Sequence, residues 1–386
     1  MEKSQHGYGA AGGEDAKDET SHTGHHTSPR VVVVGTETAI FQEDSPVRER
    51  IVAYTKGFAS TDIIVMCGRG FKEAHPRDSV AVYPTNSRVR FMRILDAIRI
   101  GKKLSRADVV TVQDPFETGL TGLFIARRLG AKLHVQVHTD PFAAGYATHS
   151  FVNFLRAHMA RSILKKADGI RVVSGRVKAA LEARIAPQCP IVVLPIFVDV
   201  EAMRNVSATP ELTRRFAAFK ARLLVVSRLE SEKNVALAIS AFAKSAPKDA
   251  CLIIVGDGRE QMALKRQAQN LGVMGRVFFE GKQDPAAYYA LADLILVSSH
   301  YEGYGLVVVE ALAAGKPVLS TDVGVAREAG AIIASSREFS QALARWFEGG
   351  PREGVLSNYP YRHFEEYVHA YCADIEAVAS PKVAGS

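Results

Sequence analysis

Ser298-Ser-His-Tyr-Glu302-Gly-Tyr-Gly305-Leu-Val-Val-Val-Glu310 follows directly on the apolar run Leu294–Val297. The run reads as a buried strand, the Ser/Gly/Tyr stretch as a turn, and the pattern from Gly305 to Gly315 as a helix. A helix that starts just past a parallel strand aims its free N–H groups and positive dipole end into the crevice where α/β proteins hold anions. Glu302 stands in the loop before that helix. Glu310 stands inside it, among Val307, Val308, Val309, Ala311 and Leu312, where a carboxylate is costly unless a partner meets it. Taken singly, either glutamate reads as an ordinary solvent-facing residue. The combination of strand, glycine turn, helix start and two carboxylates favours a binding site.

Outward from this stretch the same unit repeats. Strand-like runs at Leu223–Val226, Leu252–Val255, Val277–Phe279, Val318–Leu319 and Ile332–Ile333 alternate with helical patterns at Asn234–Ala246, Glu260–Leu271, Pro285–Leu291 and Leu306–Ala314. Upstream, Arg30–Val34, Ile63–Met66, Ser79–Val82, Val109–Val112, Leu133–Val137, Ile170–Val173 and Ile191–Leu194 form a second series. Strands separated by helices of this length imply parallel βαβ units. The fold class is therefore α/β, with two Rossmann-like doubly wound domains facing across a cleft. The domains are placed at 30–204 and 218–350, joined by a weakly structured linker at 205–217. Residues 351–386 hold an amphipathic last helix, about Tyr361–Val378, and a tail. Residues 1–29 are rich in Gly, Ser, Thr, His and acidic residues and read as a disordered tail. His22, His25 and His26 lack a carboxylate or Cys pattern to complete a metal site.

The chain of 386 residues is long enough for two cores. It has no apolar run of the ~18–20 residues that a membrane span needs, and its first residues offer no secretory apolar region. Cys67, Cys189, Cys251 and Cys372 show no C-x-x-C spacing and read as reduced thiols of a cytoplasmic protein. The formal charge of +7 suits an acidic partner: nucleotide phosphates, anionic lipid or nucleic acid. No nucleic-acid motif or aromatic platform accompanies it, so nucleic acid is the weakest of the three.

Other residues fall at strand ends. Ser227-Arg228-Leu-Glu-Ser-Glu-Lys233 follows Leu223–Val226; a planar guanidinium and a mobile ammonium there suit a diphosphate, although two surface bases on a connection would look the same. Gly256-Asp-Gly258 closes the next strand, as either a tight turn or a close backbone approach to a ligand. His138 ends the run Leu133–Val137 and faces the cleft if the topology holds; a structural histidine is the alternative. Asp114 ends Val109–Val112 and is a weaker candidate for the same cleft.

Glu302-Gly-Tyr-Gly-Leu through Glu310-Ala-Leu-Ala-Ala-Gly315-Lys-Pro317-Val, with Thr321-Asp-Val-Gly324, resembles the E-x7-E signature of retaining GT-B glycosyltransferases of family 4 (glycosyl transferases group 1). Arg228 and Lys233 resemble the family's G-R-L-x-x-x-K element, with Ser227 in place of Gly. The resemblance implies a hexosyltransferase-like, retaining, metal-independent enzyme. It would move a sugar from a nucleoside-diphosphate donor to a hydroxyl of a glycan, a lipid-linked acceptor such as a cell-envelope polysaccharide precursor, or a small molecule. It assigns Arg228 and Lys233 to the diphosphate, and Glu302 to the donor sugar's hydroxyls. The backbone N–H groups of Tyr304, Gly305 and Leu306 take the sugar and distal phosphate, and Glu310 the ribose. Gly256, Gly258 and Gln283 border the nucleotide, and His138 lies near the reacting centre. The catalytic set is Glu302, His138, Arg228 and Lys233. No cofactor beyond the donor and no metal is implied, and no Asp-x-Asp occurs. No residue is an obvious carboxylate nucleophile, so same-face attack is favoured, with the leaving diphosphate taking the acceptor's proton. The last helix is similar to one that, in the family, crosses back onto the first domain.

The chain departs from the pattern at Gly35-Thr-Glu37, where relatives carry a double glycine. It departs again at Pro195-Ile-Phe-Val-Asp199, in place of Pro-Asn-Gly-Val-Asp, and at Val325 after Gly324. Two first-domain helical stretches are basic and amphipathic. One carries Phe91, Met92, Leu95 and Ile98 beside Arg88, Arg90, Arg93, Arg99, Lys102 and Lys103; the other carries Phe151, Phe154, Leu155, Met159 and Ile163 beside Arg156, Arg161, Lys165 and Lys166. Packing of the stripes on the sheet is the expectation. The alternative is peripheral docking on anionic membrane, at its inner face. The competing functions are a sugar-nucleotide epimerase or hydrolase of the same fold and a catalytically silent sugar-nucleotide-binding scaffold.

Overall fold

The computed structural model describes residues 28–143, 146 and 150–380. The expectation of a disordered tail with its three histidines lies outside the described residues, except for Ser28 and Pro29.

The first domain is an eight-stranded sheet: β1 (Arg30–Gly35), β2 (Ser60–Val65), β3 (Ala74–Arg77), β4 (Val80–Pro84), β5 (Val109–Val112), β6 (Lys132–Val137), β7 (Gly169–Val172) and β8 (Ile191–Val193). Their order is β3-β4-β2-β1-β5-β6-β7-β8, parallel except for β3 against β4. The second sheet holds β9 (Ala221–Val226), β10 (Ala250–Val255), β11 (Val277–Gly281), β12 (Leu294–Val297), β13 (Val318–Ser320) and β14 (Ile332–Ile333), ordered β11-β10-β9-β12-β13-β14 and parallel throughout. Helices cover both faces, which is why the central strands are unbroken apolar runs such as Val31–Val34 and Leu252–Val255. In each sheet the chain builds outward one way and then restarts on the other side of its first strand. The two reversals fall between β1 and β5 and between β9 and β12, and both open toward the cleft. Such reversals leave a crevice at the carboxyl ends of the strands.

Three features differ from the sequence reading. Ala74–Arg77, with Pro76 in it, forms an antiparallel edge strand that no apolar run announces. Phe339–Gly349 is an additional helix whose Phe339, Leu343 and Trp346 are fully buried. The linker is not weakly structured: Pro210–Arg215 is a helix capped by Thr209, and Val198 and Phe216 lie in the core of the second domain. A buried aromatic at 216 anchors what the polar composition made look like a tether.

The helix Phe364–Ala379 returns to the first sheet, where Tyr367, Tyr371 and Ile375 pack with Val31, Val109, Leu194 and Phe58. Polar contacts fix its register. His134 Nε2 lies 3.1 Å from Asp374, and Arg171 Nη2 donates to the Tyr367 hydroxyl at 2.6 Å.

The two basic helices, Met92–Gly101 and Phe151–Leu164, meet the packing expectation only in part: of the two stripes, Ile163 is buried and Met92, Ile98 and Met159 are partly buried. Their small residues face the sheet (Ala97 and Gly101; Ala157 and Ala160), whereas Phe91 and Phe151 are each 74% exposed and Leu95, Phe154 and Leu155 are about half exposed. Among the described residues no helix is long and apolar enough to cross a membrane.

Candidate active site

A cavity of about 710 Å³ opens between the domains at the reversal of the second sheet, within the size range of small-molecule sites. The end of β9 supplies Ser227 and Arg228, and the turn behind it supplies Lys233. The end of β12 supplies Ser298, Ser299 and Glu302, while His138 and Thr139 face them from β6 of the first domain.

Lys233 reaches Glu302 from below: Nζ donates to both carboxylate oxygens, at 2.8 and 2.7 Å. Ser299 Oγ donates to the same carboxylate at 2.7 Å. Asn234 adopts a left-handed conformation, φ 45°, which a short polar side chain tolerates, and its carbonyl accepts from Ser298 Oγ at 2.9 Å. That tie fixes the Lys233 turn against the end of β12. Arg228 is more exposed and is held by Glu232 at 2.7 Å, so its guanidinium rests at the cavity mouth.

The helix Leu306–Ala313 begins at Gly305, φ 90°, with no side chain capping its first turn. Tyr304, Gly305 and Leu306 all line the cavity, and Lys282 and Gln283 form its far wall. The Tyr304 carbonyl accepts from Val325 N at 2.9 Å, which seats the turn on the Thr321–Val325 loop.

Other candidates are placed differently. Gly256 lines the cavity, but a Cβ there would lie 1.8 Å from the Ser227 carbonyl oxygen; one on Gly258 would lie 2.3 Å from that of Leu229. The pair thus lets two backbones of the protein approach each other, and among the described residues Gly258 does not border the cavity. Glu310 does not border it either. It sits two residues past the lining residue Val308 and accepts from the Tyr289 hydroxyl at 2.8 Å. Burial pushes its carboxyl up, against the lowering effect of that hydrogen bond. Asp114 faces a separate small cavity with Arg90, Arg93 and Arg156 rather than this one.

The imidazole of His138 is pushed down to about 4, first by burial and then by the charge of Arg171. It is neutral at physiological pH and offers hydrogen bonds without charge. The domains touch here: a Cβ on Gly303 would lie 2.1 Å from the His138 carbonyl oxygen. A second bridge joins them nearby, where Arg176 donates to the Asp322 carbonyl at 2.6 Å.

Sequence reasoning missed Ser299, Tyr289, Gln136 and Arg171. Arg171 had a readable signal, as the one charged residue in the otherwise apolar strand Gly169–Val172.

Two Rossmann-like domains facing across such a cavity define the GT-B glycosyltransferase fold. Solved structures agree. The sucrose-phosphate synthase of Thermosynechococcus elongatus superposes with a TM-score of 0.68 at 16% identity, covering 91% of this chain and 96% of that one. The Anabaena protein Alr3699/HepE in complex with UDP and glucose gives 0.63 at 16%, covering 91% and 94%. The sequence profile of the glycosyl transferase 4-like domain matches residues 59–196, and that of glycosyl transferases group 1 matches residues 215–351. The chain belongs to the GT-B glycosyltransferases of family 4.

Among sequence relatives, the alpha-monoglucosyldiacylglycerol synthase of Streptococcus pneumoniae is 28% identical over 241 residues, 58% of this chain and 54% of that protein. The 2-deoxystreptamine glucosyltransferase of Streptomyces kanamyceticus is 30% identical over 220 residues, 53% of this chain and 56% of that protein. The chain thus spans about half the length of these relatives.

Proposed function

We propose that the chain transfers a sugar, with retention of configuration, from a nucleoside-diphosphate donor to an acceptor hydroxyl on a glycan, a lipid-linked molecule or a small molecule. The observation that carries this reading is the Lys233–Glu302 pair, bonded through both carboxylate oxygens beside an uncapped helix start in one cavity. A carboxylate there can take sugar hydroxyls while the ammonium, the Arg228 guanidinium and the helix start face the diphosphate. These groups stabilise the negative charge that accumulates as the anomeric C–O bond breaks. The acceptor oxygen attacks from the same face, and its proton passes to the departing diphosphate oxygen. Gln283, which lines the cavity, is assigned to the base; Glu310, bonded to Tyr289 behind the lining residue Val308, would meet the ribose only if the donor reaches past that residue. In this reading the two bases, each held by a carboxylate in the absence of donor, turn with the helix start to the diphosphate and take the place of a metal. Anabaena Alr3699/HepE has been solved with UDP-glucose, which makes a UDP-sugar the first donor to try.

The test is a panel of UDP-, GDP- and ADP-sugars followed by calorimetry and by release of free nucleoside diphosphate, with and without chelator. Saturable donor binding, with chelator-insensitive release that rises on adding an acceptor, is expected. Turnover indifferent to any acceptor would identify an epimerase or hydrolase instead, and absence of nucleotide binding would leave only a scaffold.

The reading extends to where the enzyme works: in the cytoplasm, at the inner face of an anionic membrane. Phe91, Leu95, Phe151, Phe154 and Leu155 are exposed on two helices that also carry Arg and Lys. Such a face gains about 1 kcal/mol per base near an anionic surface, besides the inserted apolar area. The protein is expected to sediment with phosphatidylglycerol vesicles at least tenfold better than with phosphatidylcholine vesicles, and the Phe91→Ser/Phe151→Ser double variant to lose that binding. Equal partition into both lipids would remove the membrane from the account.

A further inference from the structure

A second cavity, about 370 Å³, lies at the other reversal point, over the carboxyl ends of β1 and β5. It is continuous in lining with the first: His138, Ile196 and Leu306 border both. Its walls are aromatic, with Tyr54, Phe58, Phe197 and Tyr371 among them. Phe197, with Ile196, stands in the Pro195–Asp199 segment where the chain departs from the family pattern. The cavity is therefore partly built from residues that depart from the family's motif.

Arg171, from the middle of β7, lines the same cavity and is 2% exposed. Its Nη2 donates to Tyr367, and its guanidinium lies over the rings of Tyr371 and Tyr367, at 5.0 and 5.6 Å. Among the described residues Nε and Nη1 are buried with no hydrogen-bond partner. Among the described residues no carboxylate pairs with it: Asp374, on the helix packed against it, bonds His134 instead. Glu37, at the cavity rim, is exposed and accepts from Ala39 N. A guanidinium left buried with two unsatisfied nitrogens and no counter-charge is costly, and planar N–H groups match carboxylate and phosphate oxygens. Stacking on the two tyrosines offsets part of that cost but leaves the two nitrogens open.

We infer that the acceptor carries an anionic group, a carboxylate or a phosphate, which docks on Arg171. Its carbon frame lies between the aromatic walls, and its hydroxyl points past His138 into the donor cavity. This rests on the glycosyltransferase reading and narrows its acceptor class. In the reaction the acceptor oxygen forms the new bond to the anomeric carbon. The electrons of the broken C–O bond leave with the diphosphate, which receives the acceptor's proton.

The test is calorimetric, with saturating UDP present so that the donor's phosphate site is filled. Benzoate and inorganic phosphate are the free-anion probes, benzyl alcohol the neutral control, and phosphatidylglycerol vesicles the lipid-phosphate probe. At least one anion is expected to bind saturably and at least tenfold more tightly than benzyl alcohol. Arg171→Gln should abolish that preference, Arg171→Lys should restore part of it, and UDP affinity should be unchanged in both. Ile51→Trp fills the cavity from the opposite wall with Arg171 intact and should block the anion equally, which covers the case of an Arg171 variant that does not fold. Arg171-dependent binding of vesicles but of neither free anion would place the anion on a lipid headgroup. Equal binding of anion and alcohol, or an anion preference that survives both Arg171→Gln and Ile51→Trp, would overturn the inference and leave Arg171 as a clasp for the last helix. Donor turnover without anion binding sinks this inference alone. Anion binding without any donor binding sinks the transferase reading instead.

Discussion

Lys233→Ala lowers the transfer rate at least about a hundredfold, about 2.7 kcal/mol, with the fold retained. The magnitude follows from removing one preorganised charged group from a site where charge develops. Two things are lost together: the cation facing the diphosphate and the clamp that holds both oxygens of Glu302. Ser299 alone then orients that carboxylate, through one oxygen. Lys233 lies in a short turn outside both cores, so circular dichroism should stay close to that of the unaltered protein, while the melting temperature should fall because Glu302, 15% exposed, loses its cation. The measurement is kcat with a saturating donor. A near-normal value in a folded variant would remove Lys233 from the catalytic set and, with it, the main argument for the site.

Gly303→Ala should cost transfer about as much while leaving the nucleotide-binding half intact. Gly303 is not among the positive-φ glycines, so alanine meets no local backbone strain. The obstacle lies across the cleft: the new Cβ would stand 2.1 Å from the His138 carbonyl oxygen and 2.7 Å from Thr139 Oγ1. The threonine side chain can rotate away, but the carbonyl cannot. The domains must therefore separate by roughly 1 Å at the place where donor and acceptor meet, and a misplacement of that size can cost about a hundredfold. Donor affinity, measured by calorimetry, should change by no more than about threefold, because Arg228, Lys233 and Gln283 keep their positions. If transfer persists, the domains do not work at this separation.

Most of the architecture was legible because parallel strands covered on both faces are written as unbroken apolar runs. Thirteen of the strands announce themselves, as do most of the helices between them; β3 does not, because an edge strand of four residues with Pro76 has no period to detect. The linker misled for a related reason: polar composition at 205–215 hid the few apolar residues, Phe216 with Ala208 and Leu212, that tie it to a core. In the site, Arg228, Lys233, Glu302 and the glycine turn could be placed together because they follow strand ends closely in sequence. Tyr289 and Arg171 could not, since what makes each of them matter is a neighbour far along the chain: Glu310 for one, the Tyr367–Tyr371 ring pair for the other. Gly256 and Gly258 show the converse, where a familiar spacing serves backbone against backbone.

The last helix has a consequence for biogenesis. Val31 is synthesised long before Tyr371 and Ile375, which form part of its cover. The order of synthesis and the order of burial are opposed between β1 and the helix Phe364–Ala379. The first domain is therefore made with this patch covered only by its own residues, such as Phe58 and Leu194, and short of the aromatic cover that the last helix supplies.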